Sequence, residues 1–408
     1  MLFALLVVAS PASAAELDVR LTWYSTAQSL PERDLQRQAT EESTPIDHGA
    51  GLRLMFREDI GPFRFSLDHS TGWNYGDSLS ALGTPGLTFD QTPVGDATRA
   101  MQLTWNLDDG PGRRTVHRLD RLAVEYRQGN WGVTAGRQAV SWGGGLTFQP
   151  FDLFNPFAPT TVDQDFKPGD DLLLVERLFP DGSEFQMLGV ARRSGAEVRR
   201  DASSFAAKYR GFLGTGEYEL MAARHYNDDI YGMGLRIPVG GALVRADVVA
   251  ARDPTSLEPG SPWTFSGVLN ADYSFAVSER LVYVFAEYYR NGFGVSELPG
   301  SLFDLPAPLV NRIARGEMFN VMRDYASLGA NIRWSILLGQ NVAWIRNLND
   351  GSAVITASLS YDEGDHARWQ LGIIKPRGGA GEEYGTIDAG SGTIGGSTRA
   401  FVRFVYYL

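Results

Sequence analysis

Cysteine is absent from this 408-residue chain, so it forgoes the disulfides on which small secreted domains rely. Long apolar runs are scarce too: outside residues 2–9, no stretch approaches the ~20 residues that a transmembrane helix needs. A chain of this length could form two or three soluble domains, yet no linker, low-complexity tract or shift in composition marks a boundary. Histidine is rare, with five in all: His48, His69, His117, His225 and His366. None sits in H-E-x-x-H or H-x-x-E-H, and neither G-x-S-x-G nor a phosphate-binding glycine loop is present. His225, just before Asn227 and Asp228, is the best candidate for a Ser/His or Asp/His site. A lone histidine beside an aspartate in a loop is more often a solvated pair. No enzyme activity, metal site, cofactor or nucleic-acid partner is therefore expected.

What is present is alternation. The last eleven residues, TRAFVRFVYYL, place Ala400, Val402, Phe404, Tyr406 and Leu408 on one face. Arg399, Phe401, Arg403, Val405 and Tyr407 lie on the other, a period of two that marks a strand. Forty-six glycines and 47 aromatic residues suit tight turns and interfacial girdles. The mean hydropathy of −0.18 matches a soluble protein, but a transmembrane barrel scores the same because only every second residue meets lipid. This terminal strand resembles the last strand of outer-membrane β-barrels, with Leu408 in place of the more usual terminal Phe. The resemblance implies recognition by the barrel-assembly machinery. The edge strand of a soluble sheet is the alternative. At the other end, LFALLVVA (2–9) precedes Ala12-Ser13-Ala14 and reads as a secretory signal peptide cut after Ala14. Its first region carries no Lys or Arg, which fits a start codon further upstream.

The same alternation recurs along the chain. Leu17, Val19, Leu21 and Trp23 oppose Asp18, Arg20 and Thr22. Phe265, Leu269, Ala271 and Tyr273 oppose Ser266, Asn270, Asp272 and Ser274, while Ala330, Ile332 and Trp334 oppose Asn331, Arg333 and Ser335 over 328–336. Connections alternate between a short set (59–62, 128–130, 180–182, 213–215, 239–240, 277–279, 338–339, 362–365) and a long set (25–44, 71–114, 143–169, 252–262, 291–322, 377–397). Short periplasmic turns and long outer loops are the known asymmetry of transmembrane barrels. The register predicts an all-β fold, a single antiparallel up-and-down barrel over residues 15–408 with about 18 strands, 16 remaining an alternative. Residues 101–107 stay inside the long second outer loop, because a strand there breaks the alternation. A soluble propeller or sandwich lacks support, since no blade motif repeats.

Phasing the polar faces inward lines the lumen with Arg20, Arg53, Arg57, Arg64, Arg121, Lys208, Arg210, Arg236, Arg245, Arg333, Arg368, Arg399 and Arg403. Asp18, Asp68, Glu125, Glu219, Asp247, Asp272 and Glu287 share those faces, although the whole chain carries −11. A basic lumen in a low-dielectric wall concentrates anions; alternatively, these arginines pair with neighbouring acids and fill the wall. Residues 143–169, GGGLTFQPFDLFNPFAPTTVDQDFKPG, are the most distinctive loop. Phe148, Phe151, Phe154 and Phe157 make it too apolar for open water. Folded inward, it forms a constriction in which Asp152, Asp163, Asp165 and Lys167 face the basic wall. The 291–322 loop is expected to carry a short helix around 308–318 and to act as a second lid.

The segments GRQAVSWGGG (136–145), FDLFNPFAP (151–159) and DFKPGDDLL (165–173) resemble a stretch of proteobacterial outer-membrane porin-like proteins, including alginate-export-type barrels. This likeness covers roughly 40 residues and implies an 18-stranded barrel of the export or porin kind. In the alginate type an arginine-rich lumen passes an anionic polymer. The expected function is a channel in a Gram-negative outer membrane for small or polymeric solutes, favouring anions, with lipid and solute as partners. The alternative is a sealed barrel whose outer loops bind a partner or surface; an outer-membrane hydrolase is the remote third. The oligomeric state is left open.

Overall fold

A computed structural model describes residues 15–82, 95–252, 263–300 and 302–408. The expected signal peptide lies outside these residues. Eighteen strands form one closed antiparallel sheet: Glu16–Ser29, Ile46–Ile60, Phe63–Gly76, Arg113–Gln128, Trp131–Gln138, Asp170–Leu178, Glu184–Val190, Ser204–Leu213, Gly216–His225, Asp228–Val239, Ala242–Arg252, Trp263–Val277, Arg280–Arg290, Asp324–Arg333, Leu338–Asn347, Ala353–Glu363, Ala367–Arg377 and Thr398–Tyr407. Each pairs with its sequence neighbour, and the ring closes where Glu16–Ser29 meets Thr398–Tyr407 in the register Tyr24↔Arg403. Closure leaves no unpaired edge, the condition for a sheet to sit in lipid.

Outward positions are exposed and apolar, among them Leu17, Leu21, Trp73, Phe205, Leu220, Phe265, Leu269, Leu359 and Leu371. A soluble surface would not present so continuous an apolar band, whereas the outside of a bilayer-spanning barrel must. Turns at one end are two to five residues long, and loops at the other reach 77–112 and 139–169. Gly61 and Gly214 occupy two of the tight turns at φ +60 and +61, a conformation open to glycine.

Two details depart from the sequence reading. The strand expected over 328–336 runs instead from Asp324 to Arg333, and the turn expected at 338–339 falls at 334–337. Residues Thr104–Gly110 do form a strand, but outside the ring. They pair with the outer half of Arg113–Gln128, beyond the end of Trp131–Gln138, which pairs only with Leu122 to Gln128. The extra strand thus leaves the alternation of turns and loops intact.

Candidate constriction and pore-lining site

The third outer loop leaves the wall after Gln138 and crosses the lumen. Its first limb docks on acids of the opposite wall. The amides of Leu146, Thr147 and Phe148 all donate to the Glu287 carboxylate (2.6, 2.9 and 2.8 Å). The Gly144 amide donates to Asp247 Oδ2 (2.6 Å), and Asn270 Nδ2 donates to the Gly144 carbonyl (3.1 Å). Gly143 turns the chain at φ +97, and a Cβ there would lie 2.8 Å from the Phe151 Cβ. Buried backbone amides need partners, so two wall carboxylates are committed to the loop.

Its aromatic residues fill one side of the barrel. Phe148 stacks on Tyr289 (centroids 4.5 Å apart) and tilts against Tyr325. Phe151 is fully buried and belongs to a cluster with Trp142, Phe154, Leu172, Leu174, Leu188, Val190, Met221, Ile230 and Val249. Phe157 lines a smaller space of about 70 Å³ toward the outer mouth, with Pro156, Pro159 and Phe293. The wall here is apolar on its inner face as well. A sequence signal existed: the run Leu172 to Val175 is apolar at both parities, which one-sided exposure to lipid does not require.

The second limb meets the basic wall. Arg20 Nη2 lies 2.9 Å from Asp163 and 2.6 Å from Asp165, and Arg403 Nη2 lies 2.9 Å from each. Burial opposes ionisation of Asp165, but Arg403 and Arg20 hold its carboxyl below the usual value. The guanidinium groups of Arg20 and Arg53 stand over the Phe166 ring at 5.1 and 4.1 Å. Asp163 and Asp165 therefore face the basic wall as expected. Asp152 and Lys167 do not: they are buried and paired with each other, and Lys167 Nζ also donates to the Val140 carbonyl (2.6 Å). They tie the two limbs of the loop together.

Beside this limb lies a cavity of about 180 Å³ lined by Arg20, Arg53, Arg114, Arg118, Lys167 and Arg403, against the acids Asp120 and Asp163. Tyr24, Ser70, Thr71, Asn74 and Phe166 also line it. Arg114 and Arg118 escaped the sequence reading because the register shifts between Asp68 and His69, where a bulge inserts Asp120. The bulge reverses the parity of Arg113–Gln128, so Arg114 and Arg118 face the lumen above it and Arg121 below it.

Most other expected pore-lining cations have partners. Arg53 and Arg57 share Asp68, and Arg53 also reaches Asp120. Lys208 and Arg236 share Glu219, Arg245 binds Asp272, and Arg210 lies near Glu184. Arg64 with Asp59 and Arg368 with Asp362 form half-exposed pairs at the turn end, where Arg333 is also exposed. Arg121 donates to the carbonyls of Asp120 and Lys167, and Arg399 lies in the field of Asp47. The arginines around the 180 Å³ cavity are paired too, Arg114 with Asp109 and Arg118 with Asp120, but five of them line that one space with only two acids.

The 291–323 loop carries a helix, Ala307–Ala314, shorter than expected at its far end. Its Arg312 pairs with Asp228 of the wall and stands 3.7 Å from the Phe293 ring centroid. Glu317 lies 3.2 Å from His225 Nε2, and Ser204 Oγ lies 2.9 Å from His225 Nδ1. This Ser–His–Glu alignment pins the loop to the wall. The Ser204 hydroxyl is already engaged by Arg192 (2.6 Å) and His225 is 1% exposed. No group of three or more His, Cys, Asp or Glu residues able to hold a metal ion occurs among the described residues.

A closed 18-stranded antiparallel barrel with its third outer loop folded inward has the porin-type fold. The chain is similar in structure to the outer membrane protein OpdK of Pseudomonas aeruginosa (TM-score 0.55, 12% identity, 97% of this chain and 98% of that one). OpdK solved with vanillate gives TM-score 0.52 at 13% identity, over 97% and 98% of the two chains. A BenF-like porin from Pseudomonas fluorescens Pf-5 gives TM-score 0.55 at 11% identity, again over 97% and 98%. These likenesses are of fold. No protein-family model matches the chain, and no curated protein matches it.

Proposed function

We propose that this protein is an outer-membrane diffusion channel that favours small anionic solutes. The observation that carries this reading is the cavity between the second limb of the third loop and the wall, whose lining holds five arginines against two acids, Asp120 and Asp163. Low-dielectric walls around such a site raise the local concentration of anions and repel cations. Arginine suits carboxylates in particular, because its planar fork matches their geometry. Phe166 and Tyr24 border the same space and offer ring faces. A small carboxylate with an aromatic body fits these surroundings, and a structural neighbour was solved with vanillate. A loop fastened to opposite walls argues for small solutes over a polymer. The closing strand Thr398–Tyr407 and the apolar outer band support insertion by the barrel-assembly machinery after export.

The apolar packing around Phe151 fills one side of the lumen and favours a second reading, a sealed barrel. Purified protein in a planar bilayer separates the two. Stable conductance is expected, with a reversal potential in a salt gradient that indicates anion preference. Changing Arg118 and Arg53 to Ala should weaken that preference. Absence of open current in either polarity would overturn the channel.

A further inference from the structure

The outward face carries a second set of cations, which the pore does not use. In Leu338–Asn347, Ile345 is buried inside, so Trp344 and Arg346 point outward. In Ala367–Arg377 the exposed Trp369, Leu371 and Ile373 set the outward parity, and Lys375 and Arg377 follow it. The strand between them aligns these groups in two rows. Arg346 is level with Ala353, which is level with Arg377; Trp344 is level with Ile355, which is level with Lys375. Neighbouring strands lie about 4.8 Å apart, so Arg346 and Arg377 flank Ala353 at a backbone separation of roughly 10 Å.

This trio belongs to one arc of the barrel. Arg224, Arg252 and Arg290 also point outward and sit at or next to the outer ends of their strands, as judged by the outward Leu220, Val248 and Tyr288. Among the described strand residues, the outward acids at that level are Asp229 and Asp324, which pair with Arg224 and Arg290. None of the ion pairs among the described residues involves Arg252, Arg346, Lys375 or Arg377. On the other arc many corresponding outward positions are apolar or aromatic, such as Trp73, Tyr75 and Phe205, and arginines there are paired, Arg113 with Asp108 and Arg137 with Asp171 and Asp96. Arg252 stands near Trp263 and Arg346 near Trp344 (6.0 and 5.8 Å). Tryptophans on a barrel's outer face mark headgroup depth, so these cations lie where lipid phosphates lie.

We propose that this arc, centred on Arg346, Lys375 and Arg377, binds the phosphorylated headgroup of an outer-leaflet glycolipid, its acyl chains lying on Leu371, Ile373 and Leu359. The proposal rests on the outer-membrane orientation given above. Three exposed cations without an ion-pair partner among the described residues leave hydrogen-bonding capacity to phosphate oxygens, and the apolar band below accepts hydrocarbon.

The full chain in detergent micelles would be titrated with a diphosphorylated glucosamine lipid and with its dephosphorylated form, by native mass spectrometry. Tight binding of the first alone is expected. The triple change R346A/K375A/R377A should weaken it on the order of 100-fold, since each basic residue contributes about fivefold near an anionic surface. R113A on the opposite arc should leave binding unchanged. Equal binding of both lipids, equal binding by the triple variant, or full displacement by millimolar inorganic phosphate would each overturn the proposal. Heat-modifiable gel mobility shows that every variant forms a barrel. Bilayer conductance is read separately, so failure of the channel reading and failure of lipid binding are distinguishable.

Discussion

Glu287 illustrates what a lumen-facing carboxylate does once a loop is packed against it. It is 4% exposed and accepts three consecutive backbone amides from residues 146–148. Hydrogen bonds to a charged group contribute about 1.5–3 kcal/mol each, and an alanine there would leave three amides unpaired. Glu287→Ala should release the first limb of the loop and raise single-channel conductance, with the barrel itself still folded. Unchanged conductance would refute the anchoring role. Asp163 and Asp165 act in the opposite direction, because they mask Arg20 and Arg403. Asp163→Asn combined with Asp165→Asn should strengthen anion preference, read as a shift in reversal potential. A shift toward cations would contradict the pairing.

Among the outer elements, the 378–397 loop is anchored largely through Glu383. Glu383 accepts from Tyr325 Oη (2.7 and 2.8 Å), the Val321 amide (2.7 Å) and Asn347 Nδ2 (2.8 Å). Tyr384 beside it accepts from Asn320 (2.8 Å), so the clasp joins this loop to the 291–323 loop. Burial pushes the Glu383 carboxyl up from the ordinary 4.5 to about 7. A folded-state value raised above the unfolded one gives stability that is complete below about 4.5 and lost as pH rises through about 7. Wild type should therefore lose thermal stability relative to Glu383→Gln between those values. Parallel curves for the two proteins would rule the clasp out as the source.

For the whole molecule, ring closure and loop packing are separable. The sheet bonds run strand to strand without passing through residues 144–166, and the first strand bonds to the last. Deleting 144–166 and joining the ends with a short flexible linker should leave a heat-modifiable barrel with larger, less selective conductance. Loss of the folded form on gels would show that the loop is needed for the barrel.

The alternation of Leu17 to Trp23, the terminal strand and the two classes of connection were enough to give a closed antiparallel barrel of about 18 strands. These features are local, since lipid outside and water inside impose a period of two on each strand by itself. The inward fold of the third loop was legible from its phenylalanines, and Arg20, Arg403, Asp163 and Asp165 were all legible as participants. The partners were not. Arg20 and Asp163 are 143 positions apart, and no period links a wall strand to a loop that crosses the lumen. Asp152 and Lys167 looked like groups facing the wall, yet the loop doubles back and joins them. Arg114 and Arg118 stayed hidden because one bulge reverses the parity of their strand. The sequence by itself determined which surface each strand presents to lipid. Tertiary structure decided which charges remain available in the lumen, because pairing and burial depend on what the loops bring across it.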